Sequence, residues 1–408
     1  MSHKNDLSRR DLLKIAAATS GVASLGGLVT VPGIFNPQAF AQAGAGEKSA
    51  VLIVYLQGGY NALFGSADSF SGAGSFGVTA ANQLNLGNGL IVDSSFSTLS
   101  AFAKTHMASV GIRHGIAAHG AAKTAQFTSG NQNPAIALAA GLGGDGSIKA
   151  ANIGSELVPG PKTAVGGVSL QPIADMQSTI DALGGGTPSA TMPKRDLAAK
   201  GIAASNQMSL TALSGNPDSL VTVKDGYKSA IETLTKPAEV FSAQELMTGY
   251  KLTSTAIADF NSKMAGAELM IRAGANVVTV SDGGALGWDT HGDTTGARAR
   301  QKFLTTIVPG LKTFTDRMLE KTGFNVTVVI FGDFARSLPG SDHASVSVAT
   351  VIGKSVKLGT TGKVDTAVGL PAGAPPSDGL WGYLAALSKA SPATVQAFGG
   401  NPHTIITA

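Results

Sequence analysis

Two short clusters of acidic and imidazole side chains in the second half of the chain contain the residue types that bind divalent metal ions. The first is Gly287-Trp288-Asp289-Thr290-His291-Gly292-Asp293, and the second is Gly332-Asp333-Phe334-Ala335-Arg336-Ser337, followed by Asp342 and His343. The 408 residues include no cysteine, so a metal must be held by carboxylate and imidazole groups. Such groups suit zinc, manganese or similar ions, and a pair of ions can stabilise a displacement at a phosphate or sulfate ester.

Two predicted strands and an intervening helix position these clusters. Asn276–Val280 and Val326–Phe331 are β-branched runs typical of buried strands, and each ends just before a cluster. Residues 296–321 repeat apolar side chains about every 3.6 positions, which predicts a helix with a kink at Pro309. A right-handed strand-helix-strand crossover brings both strand ends to one edge of a sheet. We therefore expect the following side chains to converge: Asp289, His291, Asp333, Asp342 and His343.

A third candidate piece of the site lies in the N-terminal half. The uncharged run Ala50–Leu56 predicts a buried strand, and the paired glycines Gly58 and Gly59 after it allow either a close approach to a ligand or an ordinary turn. Residues 108–112 predict a second strand, followed by a segment with Arg113, His114 and His119. Either histidine alone is more often a structural residue than a ligand.

The N-terminus predicts export. Ser8-Arg9-Arg10-Asp11-Leu12-Leu13-Lys14 resembles a twin-arginine signal, a weakly apolar stretch runs from Ile15 to Val31, and Ala39-Phe40-Ala41 fits signal peptidase cleavage after Ala41. We expect a signal peptide over residues 1–41, the twin-arginine translocase as a partner during export, and a periplasmic or secreted protein with no stable membrane span after cleavage. An anchor that stays attached is the alternative.

Composition sets the class of protein. Hydrophobic residues at 43%, charged residues at 14% and 53 glycines describe a globular chain with many turns. Removing residues 1–41 takes away four basic and two acidic residues, so the net charge of +4 becomes +2. This balance, without a basic stripe, argues against a nucleic-acid partner.

The remaining chain is expected to form one domain. Residues 42–49 read as a linker and 50–408 as a single α/β domain, with a helical insertion or cap around 134–270. Val346–Ile352 is a further strand candidate and Leu380–Leu387 a helix candidate. His403, close to the C-terminus, is expected to be solvated, with a role as a late ligand as the alternative.

The motifs together resemble the DUF1501 family of exported bacterial proteins, which is alkaline phosphatase- and sulfatase-like in fold. The resemblance spans roughly residues 50–370 and rests on Trp-Asp-Thr-His-Gly at 288–292 together with the twin-arginine signal and the segments around Gly58, His119, Asp333 and Asp342. It implies an α/β fold with a mostly parallel sheet sandwiched by helices. It also implies a metal site whose ligand candidates are Asp289, His291, Asp342, His343, Asp333 in place of the usual Glu, His119 and Asn61.

Two departures from the family pattern lie in the N-terminal half of this site. Asn61 stands where the family typically has Asp, and it is a neutral, weaker ligand. Ala118 stands where the family often has Ser, so a hydroxyl nucleophile is missing. The hydroxyl candidates that follow it are Thr124, Thr128 and Ser129, and nothing in their spacing selects one.

Two functions from different classes follow. The first is a metal-dependent hydrolase of small anionic phosphate or sulfate esters, in which Arg336 or Arg113 steadies the anion. The second is a non-catalytic protein of the cell envelope that binds a ligand or partner on the same fold with a degenerate metal site, which Asn61 and Ala118 favour.

Overall fold

The computed structural model describes residues 47–59, 65, 81–144, 146–183, 200–201, 204, 207, 242–283, 287–293, 296–336, 342–362 and 376–408. The chain divides into two compact units, one of Met1–Ile34 with Gly186–Glu239 and one of Phe35–Gly185 with Val240–Ala408. In the first unit the described residues are 200, 201, 204 and 207, all helical.

The centre of the second unit is an eight-stranded sheet. Ten strands are described: β1 Lys48–Leu56, β2 Gln83–Gly87, β3 Leu90–Asp93, β4 Met107–Arg113, β5 Ala150–Ile153, β6 Leu170–Ile173, β7 Val277–Asp282, β8 Phe324–Gly332, β9 Val346–Gly353 and β10 Gly359–Thr360. The order in the sheet is β10-β4-β9-β8-β1-β7-β5-β6, and β2 pairs with β3 in a separate hairpin. β9 is antiparallel to both of its neighbours, and the other pairs in the large sheet are parallel.

Helices cover both faces of the sheet. The α-helices described are α1 Ala101–Thr105, α2 His119–Gln126, α3 Pro134–Leu142, α4 Met176–Ala182, α5 Ala243–Tyr250, α6 Phe260–Arg272, α7 Ala297–Lys302, α8 Val308–Met318, α9 Ser377–Leu387 and α10 Pro392–Ala397. Short 3-10 turns occupy Ser94–Thr98 and Thr404–Ile406. The predicted α/β class with a mostly parallel, helix-flanked sheet is confirmed. The likeness to alkaline phosphatase stays a prediction.

Alternate residues of the central strands enter two hydrophobic cores. Leu52 and Val54 of β1 join the core that contains α6 and α8, whereas Ile53 and Tyr55 join the core that contains α3 and α9. A strand buried on both faces has no polar side, which explains the unbroken apolar run that identifies β1 in the sequence.

The sheet topology collects the candidate site at one edge. β1, β4, β7 and β8 run parallel and therefore end at the same edge, and β9 begins there because it runs the opposite way. The segments at this edge are 57–59 after β1, 113–118 after β4, 287–293 after β7, 333–336 after β8 and 342–345 before β9. Ligands in open α/β sheets bind at such an edge.

The helix predicted over 296–321 is interrupted. It consists of α7, a π-helical turn over Phe303–Ile307, and α8, in which Pro309 lies in the first turn. Proline has no N–H for the preceding turn, and the π-helical turn accommodates that missing bond. Where the sequence predicted a kink, the helix therefore changes from α- to π-helical hydrogen bonding just before Pro309.

Residues 94–107 form a 3-10 turn, the short helix α1 and the first residue of β4. A 3-10 turn ends at Thr98, Ser100 caps α1 by accepting a hydrogen bond from the Ala103 N–H (3.1 Å), and Met107 already belongs to β4.

Within the range 134–270, β5, β6 and α6 belong to the sheet and its helical layer, and residues 186–239 belong to the other unit. None of the helices in the described ranges is long and apolar enough to cross a membrane.

His403 is buried, contrary to the expectation that it is solvated. Its Nδ1 lies 2.9 Å from the hydroxyl of Thr361, and its ring packs edge-on against Tyr383. The C-terminal turn folds back onto the sheet, which removes the imidazole from water. Burial lowers the pKa of His403 to about 4.

This burial predicts a loss of stability in acid. Because an unfolded histidine has a pKa of about 6.5, the unfolded chain takes up the proton before the folded chain does. The free energy of unfolding should be undiminished above a pH of about 6.5 and should fall towards a pH of about 4, by on the order of 3 kcal/mol.

Urea unfolding at a series of pH values measures this effect. His403→Gln should lack this part of the pH dependence, and His106→Gln, at a histidine that stacks on Phe102, should keep it. Equal acid sensitivity of the wild type and His403→Gln would contradict the assignment.

Candidate metal centre

Three histidines from three different segments of the chain meet at the sheet edge. His119 begins α2, His291 follows β7 and His343 precedes β9. One ring nitrogen of each lies within 4.8 Å of the others, so the cluster could hold a metal ion. The ring of His343 lies between the other two, with centroid distances of 4.5 Å to each.

The orientation of His119 is set by Asp333, which follows β8. The Nδ1 of His119 lies 2.8 Å from Asp333 Oδ2, and because an ionised carboxylate only accepts, Nδ1 carries the hydrogen. The Nε2 lone pair therefore points away from Asp333. Among the described residues this buried nitrogen has no hydrogen-bond partner, which is the arrangement of a histidine that binds a metal through Nε2.

Asp333 is fully buried and held from the end of β1. Its Oδ1 accepts from the Tyr55 hydroxyl, and its Oδ2 also accepts from the Gly58 N–H at 3.2 Å. Burial, together with the neighbouring carboxylate, raises the pKa of Tyr55 well above its ordinary value, so the phenol stays a donor. Asp333 thus positions His119, with both of its oxygens already engaged.

The orientation of His343 is set by the backbone. Its Nδ1 lies 2.6 Å from the carbonyl oxygen of Ala117, which only accepts, so the lone pair is again on Nε2. This second Nε2 is also buried and has no hydrogen-bond partner within the described ranges. Burial lowers the pKa of His343, which favours the neutral imidazole that binds metals.

His291 is the most exposed histidine of the cluster and is paired with acids on both sides. Its Nδ1 lies 2.5 Å from Asp289 Oδ1, and its Nε2 lies 3.4 Å from Asp342 Oδ1. Asp342 also accepts from the His343 N–H at 2.7 Å, and this bond and His291 lower the pKa of Asp342. With 76% of its side chain exposed, Asp342 lies at the mouth of the cluster.

Arg336 adds a buried positive charge next to Asp289. Its Nη2 donates to Asp289 Oδ1 at 2.9 Å and to the carbonyl oxygen of Gly58, and its side chain has no solvent exposure. Burial by itself would raise the pKa of Asp289. The hydrogen bonds from His291 and the charge of Arg336 have the larger effect, so the pKa of Asp289 is lowered. Desolvation lowers the pKa of Arg336, and Asp289 opposes that change.

The glycine after β1 allows two site loops to touch. Gly58 has a φ of +104°, and a Cβ there would lie 2.5 Å from the Asp289 nitrogen. The Trp288 N–H donates to the Gln57 carbonyl oxygen at 2.7 Å across the same contact. The pair Gly58-Gly59 therefore serves close packing of the site loops, and a residue with a side chain at Gly58 is excluded by both space and φ.

The described hydrogen bonds of the three candidate nucleophiles do not involve the histidine cluster. Thr124 donates back to Gly120 within α2, and Ser129 pairs with Gln132 through the backbone. Thr128 has a buried hydroxyl with no partner among the described residues. None of the described hydrogen bonds links these hydroxyls to the histidine cluster. Asn61 lies outside the described residues, and Arg113 ends β4 with an exposed side chain.

Two contributors to the site were not singled out from the sequence. Tyr55 reads as one more residue of a buried strand, and the signal for its role is a hydroxyl that needs a partner inside the core. Lys123 lies one helical turn after His119, and its Nζ lies 3.9 Å from Asp333 Oδ2 and 3.5 Å from the side-chain oxygen of Gln57.

Together, the sheet and the cluster define an α/β protein with a candidate metal centre at the carboxyl edge of parallel strands. A family profile described as "Protein of unknown function (DUF1501)" matches residues 190–372. This match supports, over residues 190–372, the family name predicted from the sequence. The matched range contains Asp289, His291, Asp333 and His343, whereas His119 lies outside it. The chain matches no curated protein and no solved structure.

Substitution of Gly58 should disrupt the site loops. Gly58→Ala puts a methyl group against the Asp289 backbone at a φ that L residues rarely adopt, so we expect a loss of about 3 kcal/mol or more in the free energy of unfolding. Gly115→Ala is the matched control, because Gly115 also has a positive φ (+73°) but nothing lies within 4 Å of the added carbon. Chemical unfolding of both variants measures the difference, and equal losses would contradict a role in loop packing.

Proposed function

We propose that the protein is a metal-dependent hydrolase of phosphate or sulfate esters with an alkaline phosphatase-like site. The observation that carries the proposal is the pair of buried Nε2 atoms on His119 and His343. Both imidazoles have their Nδ1 occupied by a protein acceptor, and His291 completes a cluster within 4.8 Å. Two buried, unpaired ring nitrogens that converge on one place are costly unless a ligand binds there.

Zinc fits the donor set best. Three imidazoles suit zinc better than manganese, which prefers oxygen ligands. Nitrogens that bind one tetrahedral zinc at about 2.0–2.1 Å lie about 3.3 Å apart, so binding requires the cluster, now within 4.8 Å, to contract. Of the three rings, that of His291 is the most exposed. The 3.6 Å distance between Asp289 Oδ2 and His119 Nε2 supports Asp289 as a further ligand.

The surrounding charges suit an anionic ester. When bound, a zinc ion polarises an ester oxygen and lowers the pKa of a coordinated water. Arg336 and Lys123 place positive charge beside the cluster, and Asp342 at the mouth can accept a proton from His291. With no side-chain hydroxyl bonded to the cluster among the described residues, water serves as the nucleophile.

Metal content and ester hydrolysis of the mature protein test this proposal. The wild type should bind zinc and hydrolyse p-nitrophenyl phosphate or sulfate. His343→Ala and His119→Ala should lose at least about 100-fold in zinc affinity and the activity with it. His106→Ala, at a histidine next to the opposite end of β4, is the matched control. Wild-type protein that purifies without zinc and cannot be loaded with it rules the proposal out.

The second candidate function is a non-catalytic protein of the cell envelope that binds a ligand or partner on this fold. Ala118, which leaves the cluster without an adjacent hydroxyl, favours it. Stoichiometric zinc in the wild type with no hydrolysis of either ester class would support this candidate. Ala118→Ser with hydrolysis restored would then indicate an enzyme that has lost its nucleophile.

We also propose that the protein acts in the periplasm or is secreted, on the strength of the twin-arginine pattern at residues 8–14. Replacing both Arg9 and Arg10 with Lys should hold the full-length chain in the cytoplasm, because the paired arginines are the address that the export machinery reads. Fractionation of the cells with an antibody to the mature protein measures this. Unchanged export of the double variant contradicts the assignment.

A further inference from the structure

The acidic side chains around the histidine cluster leave little for a second ion to bind. Asp333 has Oδ1 bonded to Tyr55 and Oδ2 bonded to Gly58 and His119. A two-ion site holds its ions about 3.5–4 Å apart and needs a separate set of ligands for each. Asp333, fully buried and fully bonded, cannot serve a second ion without giving up the contacts that orient His119.

The other described acids at this edge are engaged or peripheral. Asp282 accepts from the Trp288 indole at 2.9 Å, and Asp293 accepts from the Ala299 N–H at 2.9 Å. Asp342 is largely exposed, and within the described ranges it contacts the outer histidine, His291, and the backbone of His343. This leaves Asp289, whose Oδ2 lies 3.6 Å from His119 Nε2, as the described acid best placed to bind an ion together with the histidines.

The other oxygen of Asp289 already faces a cation. Oδ1 accepts from Arg336 Nη2 at 2.9 Å, and the same guanidinium lies 3.2 Å from His291 Nδ1 through Nη1. Its Nη2 also donates to the Gly58 carbonyl oxygen, and its face packs 5.2 Å from the Phe334 ring centroid. The guanidinium is thus held by Asp289, the Gly58 carbonyl oxygen and the Phe334 ring, without solvent exposure, at the position next to the cluster.

We infer that the centre takes one divalent ion and that the buried guanidinium of Arg336 supplies the second positive charge, in place of a second ion. The inference rests on the proposed function. Asp289 would then serve two cations of different kinds, with Oδ2 available to hold the metal and Oδ1 bonded to Arg336. A second divalent ion is excluded because it would be desolvated next to a fixed positive charge and would find Oδ1 occupied.

Counting the bound ions tests the inference without reference to activity. Zinc is titrated into the mature wild-type chain and the bound ions are counted by native mass spectrometry and calorimetry. One equivalent is expected. Two equivalents per chain overturn the inference and leave the proposed function standing, whereas no zinc bound to a chain with native circular dichroism overturns the proposed function as well.

A pair of variants tests the role of the guanidinium. Arg336→Gln removes the charge, so a second equivalent of zinc should bind at least tenfold more tightly than in the wild type. Arg336→Lys keeps a positive charge and should retain the wild-type count. A folded glutamine variant that binds the second equivalent no better than the wild type shows that Arg336 does not exclude it. The count on the wild type decides the proposal even if the glutamine variant does not fold.

Discussion

The buried carboxylate of Asp333 is the interaction on which the site depends. A desolvated acid at the end of β8 is tolerated only if donors surround it, because an uncompensated buried charge costs several kcal/mol. Tyr55, Gly58 and His119 supply those donors from β1, the loop after it and α2. The same bonds that satisfy the acid therefore hold three segments in one arrangement and fix which nitrogen of His119 is free.

This arrangement requires the register of the central strands. β1 and β8 pair in parallel with Tyr55 opposite Phe331 and Leu56 opposite Gly332. A slip by one residue would turn Tyr55 to the other face of the sheet and take its hydroxyl away from Asp333. Alternation of apolar residues between two cores excludes such a slip, because every buried side chain of β1 would change sides. Packing of the cores thus secures the geometry of the site.

The reversed strand β9 contributes the third histidine. In an all-parallel sheet the segment before a strand lies at the far edge, but β9 runs against its neighbours and so begins where the others end. Backbone pairing between Arg336 and His343, and between Ala335 and Val346, continues the antiparallel ladder beyond β8. His343 is thereby held beside Arg336. Each buried charge nearby has a partner: Asp289 pairs with Arg336, and Asp333 accepts hydrogen bonds from the donors around it.

The sequence by itself determined the class of fold and most of the site. Apolar and β-branched runs identified β1, β7, β8 and β9, because strands buried on both faces are mostly apolar, and the polar residues next to these runs identified Asp289, His291, Asp333 and His343 as candidates. The sequence named His119 as a ligand candidate but left a structural role open. The tertiary structure decided that His119 lies beside His291 and His343, that Asp333 supports a histidine and Tyr55 supports Asp333, and that His403 is buried. Each of these depends on contacts between residues far apart in the chain, which only the register of the sheet and the direction of β9 create.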